Sequence, residues 1–206
     1  MDSIHSEEYK GFTIKIVPDD NPESPRQWSN LGKMICWHWR YNLGDEHEFE
    51  TAREFATFIK EIKPPVVLPL YLYDHSVQSI STSSFVGRAH HAEWDSGQVG
   101  YIYVTKEALL SEHKGKKIIT PAMKKYAEGV LRAEVEAYDQ FLRGEVYGFV
   151  VEDEDGDTVE SVWGYFGDYR RKDGPVDEAK RTIDREIGRR KVEAASQAHE
   201  AVYEAV

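Results

Sequence analysis

Apolar and polar positions first alternate at Phe12, Ile14 and Ile16, with Thr13 and Lys15 between them. That period of two predicts a half-buried strand, ended by Pro18-Asp19-Asp20-Asn21-Pro22. The stretch from Glu23 to Asn30 holds too many chain breakers for a regular element, and Trp28 is expected to anchor it on the core. Met34 to Trp39 reads as a second strand, with Cys36 and His38 on one face and Ile35, Trp37 and Trp39 on the other. Thr51-Ala52-Arg53-Glu54 has the spacing of a capping box, and Ala52, Phe55, Ile59 and Ile62 recur at helical intervals up to Pro64-Pro65. Val66 to Tyr73 and Val77 to Thr82 predict a hairpin turning at Asp74-His75-Ser76. Gln98 to Val104 predicts a further strand, leading into a short helix capped by Thr105.

Thr120 and Pro121 open a helix on which Tyr126, Val130, Ala133, Ala137 and Phe141 mark one face and which Gly144 ends. Val146 to Glu152 and Thr158 to Tyr165 predict a second hairpin around Asp155-Gly156. From Pro175 a last helix carries the stripe Val176, Ala179, Ile183 and Ile187, which weakens toward Ala194, Ala198 and Val202. About seven strands joined partly by hairpins imply an α+β fold: a mainly antiparallel sheet covered by helices, with a long C-terminal helix. The charged segment Tyr169 to Gly174 is the expected boundary. It separates an α+β body, 1–169, from a charged helix, 170–206, packed on the body or projecting from it. A chain of 206 residues suggests a single core.

Composition narrows the class. Twenty-six Lys plus Arg against 37 Asp plus Glu give a net charge of −11, which repels a phosphate backbone and disfavours bare nucleic acid as a partner. The single cysteine, Cys36, forms no intramolecular disulfide and fits a reducing cytoplasm. No run approaches the length of a membrane-spanning helix, and neither secretion nor a membrane location is expected. The glycine loops of nucleotide sites are missing too, and no cofactor is expected.

The chemistry-bearing residues concentrate between Tyr71 and Tyr103. A turn facing a loop there could assemble Asp74, His75, Trp94, Asp95, Ser96 and Gln98 into a binding surface, with Trp94 as a partly buried anchor. Asp74, His75, His91 and Asp95 are ligand types for Zn, Mn or Fe, although without a diagnostic spacing. Cys36 and His38 would share a strand face, where packing is favoured over a catalytic dyad. The acidic run Glu152 to Asp157 reads as a solvated turn, because it lacks the bidentate Glu of a calcium loop.

Three segments carry a family likeness: Asp20-Asn21-Pro22-Glu23-Ser24-Pro25-Arg26-Gln27-Trp28-Ser29-Asn30-Leu31-Gly32 with Tyr41-Asn42-Leu43-Gly44-Asp45-Glu46-His47; Trp94-Asp95-Ser96-Gly97-Gln98-Val99-Gly100; and Glu145-Val146-Tyr147-Gly148-Phe149-Val150. Over Lys10 to about Asp168 the chain resembles a group of proteins encoded by bacteriophages and plasmids, for which no activity is established. The resemblance implies a mobile-element accessory protein that binds a host or phage protein, interference with a host defence system being one such action. The alternative is a small metal-dependent hydrolase or nucleic-acid-processing enzyme.

Overall fold

The computed structural model describes residues 2–204, the side chains of 198 and 200–204 excepted, so the Ala198 and Val202 end of the predicted stripe lies outside them. Its α+β fold holds two four-stranded antiparallel sheets and a long C-terminal helix. Where a single core was expected, the chain divides into two compact units, residues 1–22 with 144–206, and residues 23–143.

The first unit begins with a hairpin. Lys10 and Gly11 adopt φ of 53° and 84°, and two successive positive values give the tight turn whose twist matches paired strands. It joins β1 (His5–Tyr9) to β2 (Phe12–Pro18). β1 escaped the sequence reading because it is a polar edge strand with no buried residue. A second hairpin, β7 (Val146–Glu152) and β8 (Thr158–Phe166), completes the sheet in the order β1-β2-β7-β8. The acidic run between β7 and β8 is the solvated turn expected: Asp153 Oδ1 accepts from the Asp155 and Asp157 backbone amides at 3.2 and 3.1 Å.

Phe12, Ile14, Ile16, Phe149 and Val151 form the buried face of this sheet. The final helix, α5 (Pro175–Glu204), covers it with Ala179 and Ile183, both fully buried, flanked by Val176 and Ile187. The predicted stripe is therefore the packing face, and the first half of the helix completes the core. Residues 191–197 are exposed throughout.

In the second unit β3 (Lys33–Cys36), β4 (Val66–His75), β5 (Val77–Ser81) and β6 (Ser96–Val104) pair in the order β3-β6-β4-β5. Cβ-free Gly100 lets β3 approach β6, since a Cβ there would sit 2.0 Å from the Ile35 carbonyl oxygen. On one face Leu68, Leu70, Leu72 and Ile102 meet α4 (Pro121–Leu142). On the other, Phe55 of α1 (Ala52–Ile62) packs against Ile35 and Tyr103. Two short helices, α2 (Ala92–Asp95) and α3 (Lys106–Glu112), flank β6.

Helix starts follow the sequence closely. The Thr51, Thr105 and Thr120 hydroxyls each accept from the backbone amide three residues on, at 3.2, 3.1 and 3.3 Å. The packing face of α4 does not. Met123, Ala127, Leu131, Val135 and Tyr138 are buried, whereas Tyr126, expected on the core face, is exposed. The buried stripe carries the larger aliphatic side chains and runs at i,i+4, so the helix turns that side to the sheet and leaves Phe141 only partly buried.

The first unit also shows how a second can be inserted into it. β2 and β7 are paired neighbours, with Pro18 opposite Tyr147 and the Asp19 amide donating to the Val146 carbonyl at 2.9 Å. The chain therefore leaves and re-enters the sheet at adjacent points.

Ile183→Ala should destabilise the first unit by about 2–4 kcal/mol, the usual range for emptying a buried aliphatic position. Ending the chain after Lys191 should leave the unfolding transition in place, because the segment removed buries nothing described. Chemical denaturation of the two variants checks both outcomes.

Candidate functional site

Positioning in the second unit starts from a buried charge. Pro25 opens a single 3-10 turn, Pro25–Gln27, capped by the Ser24 hydroxyl, which directs Arg26 inward until only 5% of its side chain is exposed. Its Nε and Nη2 donate to the two carboxylate oxygens of Asp45 at 2.8 and 2.9 Å. Nη1 reaches Glu134 of α4 at 3.3 Å, and Nη2 also donates to the Gly32 carbonyl at 2.8 Å.

Both acids are used again. Asp45 accepts from the Met34 amide at 2.9 Å, and Glu134 accepts from the Leu31 and Gly32 amides at 2.7 and 3.2 Å. Burial pulls the guanidinium toward deprotonation, but the bonds to Asp45 and Glu134 outweigh it and hold its pKa above the ordinary value. Arg26, not Trp28, therefore anchors this polar loop; Trp28 is 44% exposed.

Pinned at Asp45, the chain from 37 to 44 leaves the end of β3 and returns to it at the isolated Ile35–Gly44 bridge. The predicted strand stops at Cys36, with one more bond from the Trp37 amide to Val99 at 2.7 Å. His38 is thus off the strand. Its Nδ1 accepts from the Arg40 and Tyr41 amides at 3.3 and 3.2 Å, and its ring stacks on Tyr41 at 4.9 Å. Tyr138 donates no packing alone: its hydroxyl accepts from the Gly44 amide at 3.1 Å.

His47 Nε2 donates to the Cys36 carbonyl at 2.9 Å, which leaves a buried Nδ1 without a partner in the structure. Such an orphan costs about 1–3 kcal/mol. The loop walls a cleft of about 780 Å³ that includes Trp37, His38, Trp39, Tyr41 and Glu46. Cys36 is buried as packing requires, and burial, reinforced by the Asp45 carboxylate, pushes its thiol up to about 12.

The second cluster lies on β4, β6 and the chain between β5 and β6. Asp95 Oδ2 meets His75 Nδ1 at 2.8 Å, with the two side chains 46% and 32% exposed for His75 and Asp95. Tyr73 stacks on His75 at 5.8 Å and on Phe85 at 5.5 Å, and its hydroxyl donates to the His90 carbonyl at 2.9 Å. Arg88 is held by the Ser83 and Ser84 carbonyls, each at 2.8 Å. Together these contacts wall a cleft of about 410 Å³ lined by Tyr73, His75, Phe85, Arg88 and Arg143.

Of the residues expected to converge, His75 and Asp95 meet. Ser96 and Gln98 lie opposite Tyr73 and Tyr71, and cross-strand partners share a face with His75. Asp74 alternates to the other face of β4. The Ser96 hydroxyl is engaged by the Ala92 carbonyl at 2.6 Å. β6 is an interior strand, not a sheet edge. Trp94, expected as a partly buried anchor, is 88% exposed. The His91 ring is 6.3 Å from that of His75. Among the described residues no three His, Cys, Asp or Glu side chains are grouped to hold a metal ion.

The Arg26 network was missed because its members are spread from residue 26 to residue 134, and sequence spacing carries no sign of their contact. Only the proline-started turn hinted at order.

Two outcomes follow from this geometry. Arg26→Ala leaves two buried carboxylates unpaired and should cost about 3–5 kcal/mol in denaturant unfolding. A folded Cys36 thiol raised to about 12 from an unfolded value near 9.0 favours the folded state below pH 9. That contribution is lost as pH rises from about 9 to about 12. Thiol titration with a chromogenic disulfide at pH 8 should accordingly show no reaction until denaturant is added.

No helix among the described residues is long and apolar enough to cross a membrane. Comparison of the chain with known protein families, with curated proteins and with solved structures found no match.

Proposed function

We propose that the protein acts by binding another protein through the end of the second sheet where β3 and β4 finish and β6 begins. The observation that carries this reading is the exposure of two tryptophans there, Trp39 at 89% and Trp94 at 88%. Trp39 stands on the loop that continues β3 past its last bond to Val99, and Trp94 belongs to the helical turn leading directly into β6. Large aromatic surface left in water is costly for a lone protein and is the residue type that dominates interface energetics.

Charge selects the partner. Glu46, Glu48, Glu50 and Glu93 are exposed on the same loops, with Arg40 as a neighbouring cation. Acidic side chains beside open indole faces favour a basic surface, whose Lys and Arg side chains gain both ion pairing and cation–π contact. The likeness of three segments to proteins of bacteriophages and plasmids supports an accessory role on host machinery, with a host defence system as the target.

A second reading, a small hydrolytic enzyme, is favoured by one observation only. The Asp95 carboxylate on His75 Nδ1 leaves Nε2 as the group that could take a proton from water.

The test compares wild type with Trp39→Ala, Trp94→Ala and the double variant in capture from host extract. Each single change should weaken binding by about 2 kcal/mol, roughly 30-fold, without moving the unfolding transition. The captured partner should be basic and elute with rising salt. A partner retained at full strength by the folded double variant would refute this surface.

A further inference from the structure

We propose that the cleft between β4 and the segment 83–91 is a separate site that binds a small phosphomonoester carrying a planar ring. Its lining contains Tyr73, His75, Ser79, Phe85, Arg88 and Arg143 but no carboxylate, in a chain with 37 acidic residues and a net charge of −11. A cavity of about 410 Å³ is the size that encloses such a molecule.

The cationic wall is built rather than incidental. Arg88 spends Nε and Nη2 on the Ser84 and Ser83 carbonyls, and its guanidinium lies 5.3 Å over the Phe85 ring. Phe85 in turn stacks on Tyr73, and the Tyr73 hydroxyl fixes the His90 carbonyl. This arrangement orients the fork and leaves Nη1 outside those bonds. Among the described residues no carboxylate pairs with Arg88. Arg143 lies beside Asp139 at 3.5 Å, but that acid also accepts from the Ser79 hydroxyl and the Ile80 amide at 2.6 and 2.7 Å.

His75 supplies the third contact. Asp95 occupies Nδ1, so the ring meets the cleft with Nε2. Two guanidinium groups offer the planar fork donors that a phosphate dianion accepts, and His75 Nε2 stands beside them as a third polar group. Tyr73 and Phe85 line the cleft with apolar surface for a ring. The site does not depend on partner docking, since neither Trp39 nor Trp94 lines it.

The experiment is calorimetric titration of the full chain with phenyl phosphate, benzoate and inorganic phosphate. Saturable binding of phenyl phosphate is expected below about 10 mM, with inorganic phosphate weaker and benzoate weaker still. Arg88→Gln and His75→Ala, each with an unchanged unfolding transition, should weaken phenyl phosphate by about tenfold, the loss of one charge-assisted hydrogen bond. If either variant fails to fold, Arg88→Lys supplies the reading, since it keeps the charge and loses the fork. Trp39→Ala should bind phenyl phosphate as wild type does, whatever its effect on a protein partner. The proposal is overturned by the absence of saturable binding, by benzoate matching phenyl phosphate, or by full affinity in the folded Arg88 and His75 variants.

Discussion

A guanidinium buried to 95% of its surface has to be satisfied on every side, and Arg26 is satisfied only by bringing together three stretches of chain. The Gly32 carbonyl comes from its own loop, Asp45 from the return of the 37–44 excursion, and Glu134 from the middle of α4. Each acid then closes backbone amides that lack a strand partner. The cost of desolvating the three charges is offset by bidentate geometry and by those extra bonds, not by Coulomb attraction alone. What the network yields is a fixed path for a polar segment that no hydrophobic pattern holds. Gly32 belongs to the same constraint: a Cβ there would lie 2.3 Å from Leu131 Cδ2 and 2.8 Å from Glu134 Oε2, so a larger residue would have to displace the Glu134 carboxylate from its place in the network.

Both units combine local hairpins with long-range pairing. The first joins two hairpins through β2 and β7, a pairing that spans the whole inserted unit, and closes them with the apolar stripe of α5. The second also pairs strands apart in sequence: β3 with β6 across the 59 residues between Cys36 and Ser96, and β4 with β6 across β5 and the segment that follows it. Placing the second unit between β2 and β7 exploits paired neighbours whose ends already lie together, which keeps the join short.

Locality decides what could be read from the chain. Threonine caps, the Asp155-Gly156 turn and the Val176 to Ile187 stripe are local, and each was legible because it acts within one element. β1 was not, since its residues are mostly polar and none of them is buried. The face of α4 was misjudged because Tyr126 and Val130 compete with Met123, Ala127 and Leu131 in periodicity, and only the sheet decides between them. The His75 and Asp95 pairing was within reach, as both residues sat in a polar cluster. Arg88 was not, because its role comes from two carbonyls and a ring stack that a sequence does not display.

Rigidity connects the buried charge to the exposed rings. A tryptophan on a mobile loop loses conformational entropy when a partner orders it, at about 0.5–1.5 kcal/mol for each side chain immobilised, with backbone costs added. The Trp39 loop is held at both feet, by the Trp37 amide on Val99 and by Gly44 and Asp45, and within its span His38 accepts two backbone amides while stacking on Tyr41. Trp94 is held by the helical turn from Ala92 and by the strand that follows. Neither indole is buried, yet each stands on a segment fixed by backbone hydrogen bonds close by in the chain. An aromatic face arranged in this way leaves apolar surface in water in the free protein and requires little further ordering on contact, which is the combination the proposed docking of a partner calls for.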